Sequence, residues 1–132
     1  MAEGVFRSLA SSHPLVGDID SSGTAAYHAG EMPDPRTMNT LTRNGITDYV
    51  HYAQKVNDEH FLKYDYLIAM DEWNLRDLLR KRGLVKNTSS ASRENKLAEV
   101  RLFGDFLPGG RLHERVGGGP VVEDPYYGGR FV

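Results

Sequence analysis

The chain has 132 residues, 39% of them hydrophobic and 26% charged, with a formal net charge of -2, a pI near 6.2 and no cysteine. That length can bury a useful core, so residues 1–132 are read as one domain. Near-balanced charge points away from a nucleic-acid partner, absent cysteine excludes disulfides and thiolate metal sites, and no run approaches the roughly 20 apolar residues of a membrane span.

Ala2, Val5, Phe6 and Leu9 recur at helical spacing, so the chain opens in or at the start of an amphipathic helix. Glu3 stands where a signal peptide needs a base followed by apolar residues, and a cytoplasmic location is expected. Asp18-Ile19-Asp20-Ser21-Ser22 reads as a short strand, and Gly23 to Gly30 as a small-residue loop carrying Tyr27. Asp34-Pro35 is a helix start, with the aspartate as N-cap and proline in the first turn, and Asn44-Gly45 is its stop. Asp58 to Leu62 forms a helical turn. Tyr66 to Met70 is an apolar run short enough for a buried parallel strand. Asp71 then caps a helix whose Leu75, Leu78 and Leu79 share a core-facing side, with Gly83 as its end. Asn87 to Asn95 is polar and loose, Val100 to Phe103 is a third strand, and Gly104 to Gly119 is a glycine-dense loop.

Alternating helices and strands predict an α/β fold, a small parallel sheet joined by helical crossovers with helices on both faces. Functional groups of such folds collect at the carboxyl ends of the strands. His13, His28, His51, His60 and His113 lack the close pairing usual in zinc sites, so neither a metal nor a cofactor is expected. The basic excess between Arg76 and Arg101 reads first as a solvated helix end and polar loop. The remaining candidate is Glu123-Asp124-Pro125-Tyr126-Tyr127-Gly128-Gly129. An acid among rings can protonate an aromatic leaving group, yet Asp-Pro and Gly-Gly are ordinary turn residues, and the residues alone favour a turn.

Several segments together carry a more specific pattern: Met1-Ala2-Glu3-Gly4-Val5-Phe6, Asp20-Ser21-Ser22-Gly23-Thr24, Pro33-Asp34-Pro35-Arg36, Asn44-Gly45-Ile46, Phe61 to Leu78 with Met70-Asp71-Glu72-Trp73-Asn74-Leu75, and Glu123-Asp124-Pro125-Tyr126-Tyr127-Gly128. In this order and spacing the sequence resembles the low-molecular-weight protein tyrosine phosphatases over nearly its whole length. The resemblance implies hydrolysis of a phosphotyrosine protein or aryl phosphate through a cysteinyl-phosphate intermediate. Asp124 would be the general acid and base, Tyr27, Tyr126 and Tyr127 would line the cleft for the substrate ring, and Ser21 and His51 would brace the phosphate loop. The run from Ile46 to Ala53 is one residue longer than the common pattern, which weakens the His51 match.

In that family a buried strand and a C-x-x-x-x-x-R-S-P loop come before the Met1-Ala2-Glu3 motif, and a last amphipathic helix follows the aspartate loop. The resemblance therefore implies a domain incomplete at both ends, lacking its first, central strand, the nucleophile and the loop arginine, and inactive alone. Losing about five buried side chains at roughly 1.5–3 kcal/mol each removes about 10 kcal/mol, comparable to the 5–15 kcal/mol of a typical domain. A marginal monomer is expected, open to self-association through exposed strand edges. The alternative is a non-catalytic pseudo-phosphatase that holds a partner through its aromatic cleft and basic segment. An arsenate reductase on the same fold fits less well, because that chemistry depends on cysteines.

Overall fold

The computed structural model describes residues 1–24, 35–47, 54–87 and 96–123. They fall into two units, one within residues 1–56 and the other Asn57–Glu123.

In the first unit, helix α1 spans Ala2–Ala10, where helical spacing predicts it, but its inner side differs from the expected apolar stripe. Glu3, Gly4 and Ala10 are buried, while Val5, Phe6 and Leu9 are 39%, 47% and 80% exposed. Arg7 accounts for the inward polar side. Its guanidinium lies 3.7 Å from the Glu3 carboxylate and donates to the Ile19 carbonyl from Nε at 3.1 Å and from Nη2 at 2.6 Å. Helix α2, Pro35–Arg43, buries Thr37 and Leu41 and stops where the sequence predicts. Gly45 takes φ +80°, Ile46 N–H bonds the Leu41 carbonyl at 2.9 Å, and Gly45 N–H bonds that of Thr42 at 3.1 Å. Those two bonds form a Schellman stop, which saturates the last carbonyls. The predicted Asp34 cap lies outside the described residues.

The strand expected at Asp18–Ser22 does not form. Arg7 occupies the Ile19 carbonyl, and Gln54 Nε2 occupies the Ser21 carbonyl at 3.0 Å, so side chains take acceptors that a ladder would use. What remains of the pairing is one parallel bridge between Gly23 and Lys55.

The second unit begins with helix α3, Asp58–Lys63, capped reciprocally by Asn57 and His60; Phe61 behind the cap is fully buried. Strand β1, Tyr66–Ala69, pairs in parallel with strand β2, Glu99–Leu102, with Tyr66 opposite Glu99 and Ala69 opposite Leu102. Helix α4, Glu72–Lys86, is the crossover that a parallel pair requires. The protein is thus α/β with a small parallel sheet and helices. Phe61, Ala69, Leu75, Leu78, Val85, Leu97, Ala98, Val100 and Leu102 form the buried apolar set of this unit. The first unit buries only Ala10, Leu41 and Val56 among its described apolar residues.

Burial on β1 is less complete than its apolar run predicts. Tyr66 and Ile68 are 45% and 39% exposed, since among the described residues β2 is the only strand beside it. Tyr66 packs edge-on against Phe106, with centroids 5.9 Å apart. Leu79 likewise stands 44% exposed, outside the core side held by Leu75 and Leu78.

Helix α4 also runs past Gly83, its predicted end. A glycine inside a helix costs about 1 kcal/mol against alanine, whereas burying a valine contributes roughly 1.5–3 kcal/mol. Val85, 2% exposed, rewards the extra turn, and Arg82 Nε ties that turn to the Ala98 carbonyl at 2.9 Å. A Cβ at Gly83 would meet nothing within 4 Å. Gly83→Ala is therefore expected to stabilise the protein by about 0.5–1 kcal/mol, read as a higher urea midpoint at unchanged slope. No helix among the described residues is long and apolar enough to cross a membrane.

Candidate functional site

The carboxyl end of the parallel pair is set by two aspartates with different tasks. Asp71, just after β1, caps α4 through Oδ1, which accepts the Asn74 N–H at 2.8 Å. Asp105, three residues beyond β2, is fully buried and serves as a hub. Its Oδ2 accepts the N–H of Leu102 at 3.1 Å and of Gly117 at 2.8 Å, and its Oδ1 accepts that of Gly119 at 2.9 Å. Its own carbonyl accepts the His113 N–H at 2.7 Å. Burial alone would push this carboxyl up, but the three N–H groups and the nearby Arg101 charge outweigh it, and the pKa lies below the ordinary 3.8.

The glycine-dense stretch is accordingly ordered. Strand β3, Phe106–Leu107, and strand β4, Arg111–Leu112, form a small antiparallel hairpin. The chain then returns to Asp105 and crosses the backbone of Gly104 so closely that a Cβ on Gly119 would collide with the Gly104 carbonyl. Only a residue without a side chain permits that approach. Further on, Val122 N–H bonds the Met70 carbonyl at 2.8 Å. The stretch Gly117–Glu123 is thus fastened to Asp105 at one end and to the end of β1 at the other, immediately before Asp124.

In the first unit, Ser21 is exposed and lies within a small polar knot. Gln54 Nε2 donates to Asp20 Oδ2 at 2.8 Å and to the Ser21 carbonyl at 3.0 Å, and Ser21 N–H bonds Asp20 Oδ1 at 2.9 Å. Gly23 is joined to both sides of Lys55, by its N–H to Gln54 and by its carbonyl to Val56. The segment Gln54–Val56 is therefore stitched to Ser21–Gly23.

Of the residues that the sequence singles out for a site, Ser21 alone is described. Tyr27, His51, Asp124, Tyr126 and Tyr127 lie outside the described residues. Asp105 and Gln54 are absent from the sequence reading. An acid placed shortly after a strand and before a Gly-Gly-Gly run is the signal for the first, since glycines let several N–H groups converge on one carboxylate. Gln54 leaves no comparable trace. Among the described residues no group of three or more His, Asp or Glu is placed to hold a metal.

The family profile described as "Low molecular weight phosphotyrosine protein phosphatase" matches residues 1–131. A protein of that name from Schizosaccharomyces pombe is 40% identical over 132 residues, covering 98% of this chain and 73% of that protein. One from Sus scrofa is 37% identical over 130 residues, covering 97% and 72%. Among solved structures, YfkJ from Bacillus subtilis superposes with a TM-score of 0.69 at 34% identity, covering 98% of this chain and 72% of that one.

Proposed function

This chain belongs to the low molecular weight phosphotyrosine protein phosphatase family, and from that premise we propose that it carries the proton-transfer and substrate-cleft half of a phosphotyrosine monoester hydrolase. Asp124 is the general acid that protonates the departing tyrosine oxygen and then the base that activates water. Tyr27, Tyr126 and Tyr127 wall the ring cleft, and Ser21 and His51 support the phosphate loop. The reading is supported above all by the fastening of Gly117–Glu123 to Asp105 and to the end of β1, the edge where α/β folds collect their functional groups.

The attacking group of this chemistry is a thiolate, and the 132 residues contain no cysteine. A polypeptide of these residues alone is therefore inactive, because removing a nucleophile from a cooperating set costs on the order of a millionfold in rate. In an assay of p-nitrophenyl phosphate with an intact-mass-verified sample, release of nitrophenolate is expected to stay at the buffer rate. Turnover above that rate would refute the assignment of the nucleophile. Absence of any cysteine also favours the second reading, a non-catalytic relative that binds a partner. The two separate when a phosphate loop is supplied: the first predicts Asp124-dependent turnover, the second none.

A further inference from the structure

Helix α4 carries a surface that the phosphatase reading does not use. Its inner side is Leu75, Leu78 and Val85. On the opposite side, at intervals of three or four residues, stand Trp73, Arg76, Arg80 and Leu84, which share one stripe of the helix. Trp73 is 74% and Leu84 60% exposed, far more than a tryptophan and a leucine placed only for packing. The Arg76 guanidinium sits 5.3 Å from the Trp73 ring centroid. That contact sets the guanidinium over the face of an exposed indole. Arg80 follows one turn later, its Nη2 3.8 Å from the Asp77 carboxylate in an exposed ion pair, which in water contributes little.

The stripe therefore reads apolar, basic, basic, apolar. Its two apolar ends are eleven residues apart, roughly 16 Å along a helix axis at 1.5 Å per residue. Over Glu72–Lys86 the bases Arg76, Arg80, Lys81, Arg82 and Lys86 outnumber Glu72 and Asp77, although the chain as a whole is net negative. A solvated helix end explains the charges but not a tryptophan and a leucine at the two ends of the row. Tryptophan and arginine are the side chains that most often dominate binding energy at protein interfaces.

We propose that the Trp73–Arg76–Arg80–Leu84 stripe is a docking surface for an acidic amphipathic helix of a partner protein. The partner helix presents two apolar anchors about 16 Å apart, the span of the stripe, with carboxylates between them. The anchors cover Trp73 and Leu84, and the carboxylates meet Arg76 and Arg80. This recognition is independent of the phosphate chemistry.

Trp73 is the only tryptophan of the chain, so its emission reports occupancy directly. The full 132-residue protein is titrated with a synthetic helical peptide that has leucines at the anchor spacing and glutamates between them. A blue shift of the emission that saturates is expected, with a midpoint that rises with salt. Exchanging the peptide leucines for alanines, which keeps charge and helicity, is expected to weaken binding by about tenfold or more, as is the double change Arg76→Glu with Arg80→Glu in the protein. All four positions are solvent-facing, and far-UV circular dichroism verifies that the variant is folded. The proposal is overturned if the alanine peptide or a single-stranded oligonucleotide binds with the same midpoint, which would reveal charge attraction alone. It is equally overturned if the double variant binds within threefold of the parent, or if the leucine peptide leaves the emission unchanged.

Discussion

Asp105→Ala is expected to lower the stability of the protein by about 3–5 kcal/mol, a large part of the roughly 5–15 kcal/mol that holds a domain together. Three backbone N–H groups, from Leu102, Gly117 and Gly119, converge on this one buried carboxylate. Each hydrogen bond to a charged acceptor contributes about 1.5–3 kcal/mol, and bonds that share an acceptor are lost together, so the sum overstates the effect. Alanine would leave donors facing a hole with nothing to accept them. An asparagine side chain in the same place would keep one oxygen and hence the Leu102 and Gly117 bonds, but its amide N–H₂ would face the Gly119 N–H; Asp105→Asn is expected to cost about half as much. Denaturant midpoints at constant slope measure both. A loss below about 1 kcal/mol for the alanine variant would mean that the network is dispensable.

The same carboxylate predicts a direction in acid. Its folded pKa lies below 3.8, so below that value the unfolded chain binds the proton more readily than the folded one, and stability falls as pH falls. The Asp105 contribution is complete above 3.8 and is lost as pH drops through the lower folded value. Asp105→Asn removes that part of the acid slope while leaving the neutral-pH slope alone.

What could be read in the sequence was set by short-range chemistry. Helix α2 obeys its local signals to the residue, because proline at one end and an αL glycine at the other act on their own backbone. Helix α3 and the Asp71 cap follow for the same reason. Where the sequence misled, a partner distant in the chain decided the outcome. Arg7 turned the polar side of α1 inward and took the carbonyl of Ile19 from the expected strand. Val85 and the Arg82 bond to Ala98 carried α4 through Gly83. Gly104 to Gly119 reads from sequence only as a glycine-dense loop; around a buried carboxylate the same glycines permit close approach. The candidate site is an expectation carried by the family pattern, and Ser21 apart its residues lie outside the described ones. No spacing rule distinguishes Asp124 from the aspartate of any other Asp-Pro pair.

The largest effect is expected from supplying the cysteine that the composition lacks. A fusion that places an apolar strand and the family's C-x-x-x-x-x-R-S-P loop before Met1 is expected to hydrolyse aryl phosphates, and changing the introduced cysteine to serine should cost on the order of a millionfold. Within that fusion Asp124→Asn tests the acid. A positioned general acid contributes about 10²–10⁴-fold, and its worth depends on the leaving group. The tyrosine of phosphotyrosine departs as a basic phenolate and needs the proton, whereas p-nitrophenolate departs readily without one. The loss in kcat should therefore be much larger for phosphotyrosine than for p-nitrophenyl phosphate, and the limb of the pH profile that reports the acid should flatten. Equal losses on the two substrates would show that Asp124 shapes the loop rather than donating the proton. Tyr126→Ala makes the complementary test of the proposed cleft: if Tyr126 walls it and takes no part in proton transfer, KM should rise for both substrates while the leaving-group dependence of kcat stays as it was.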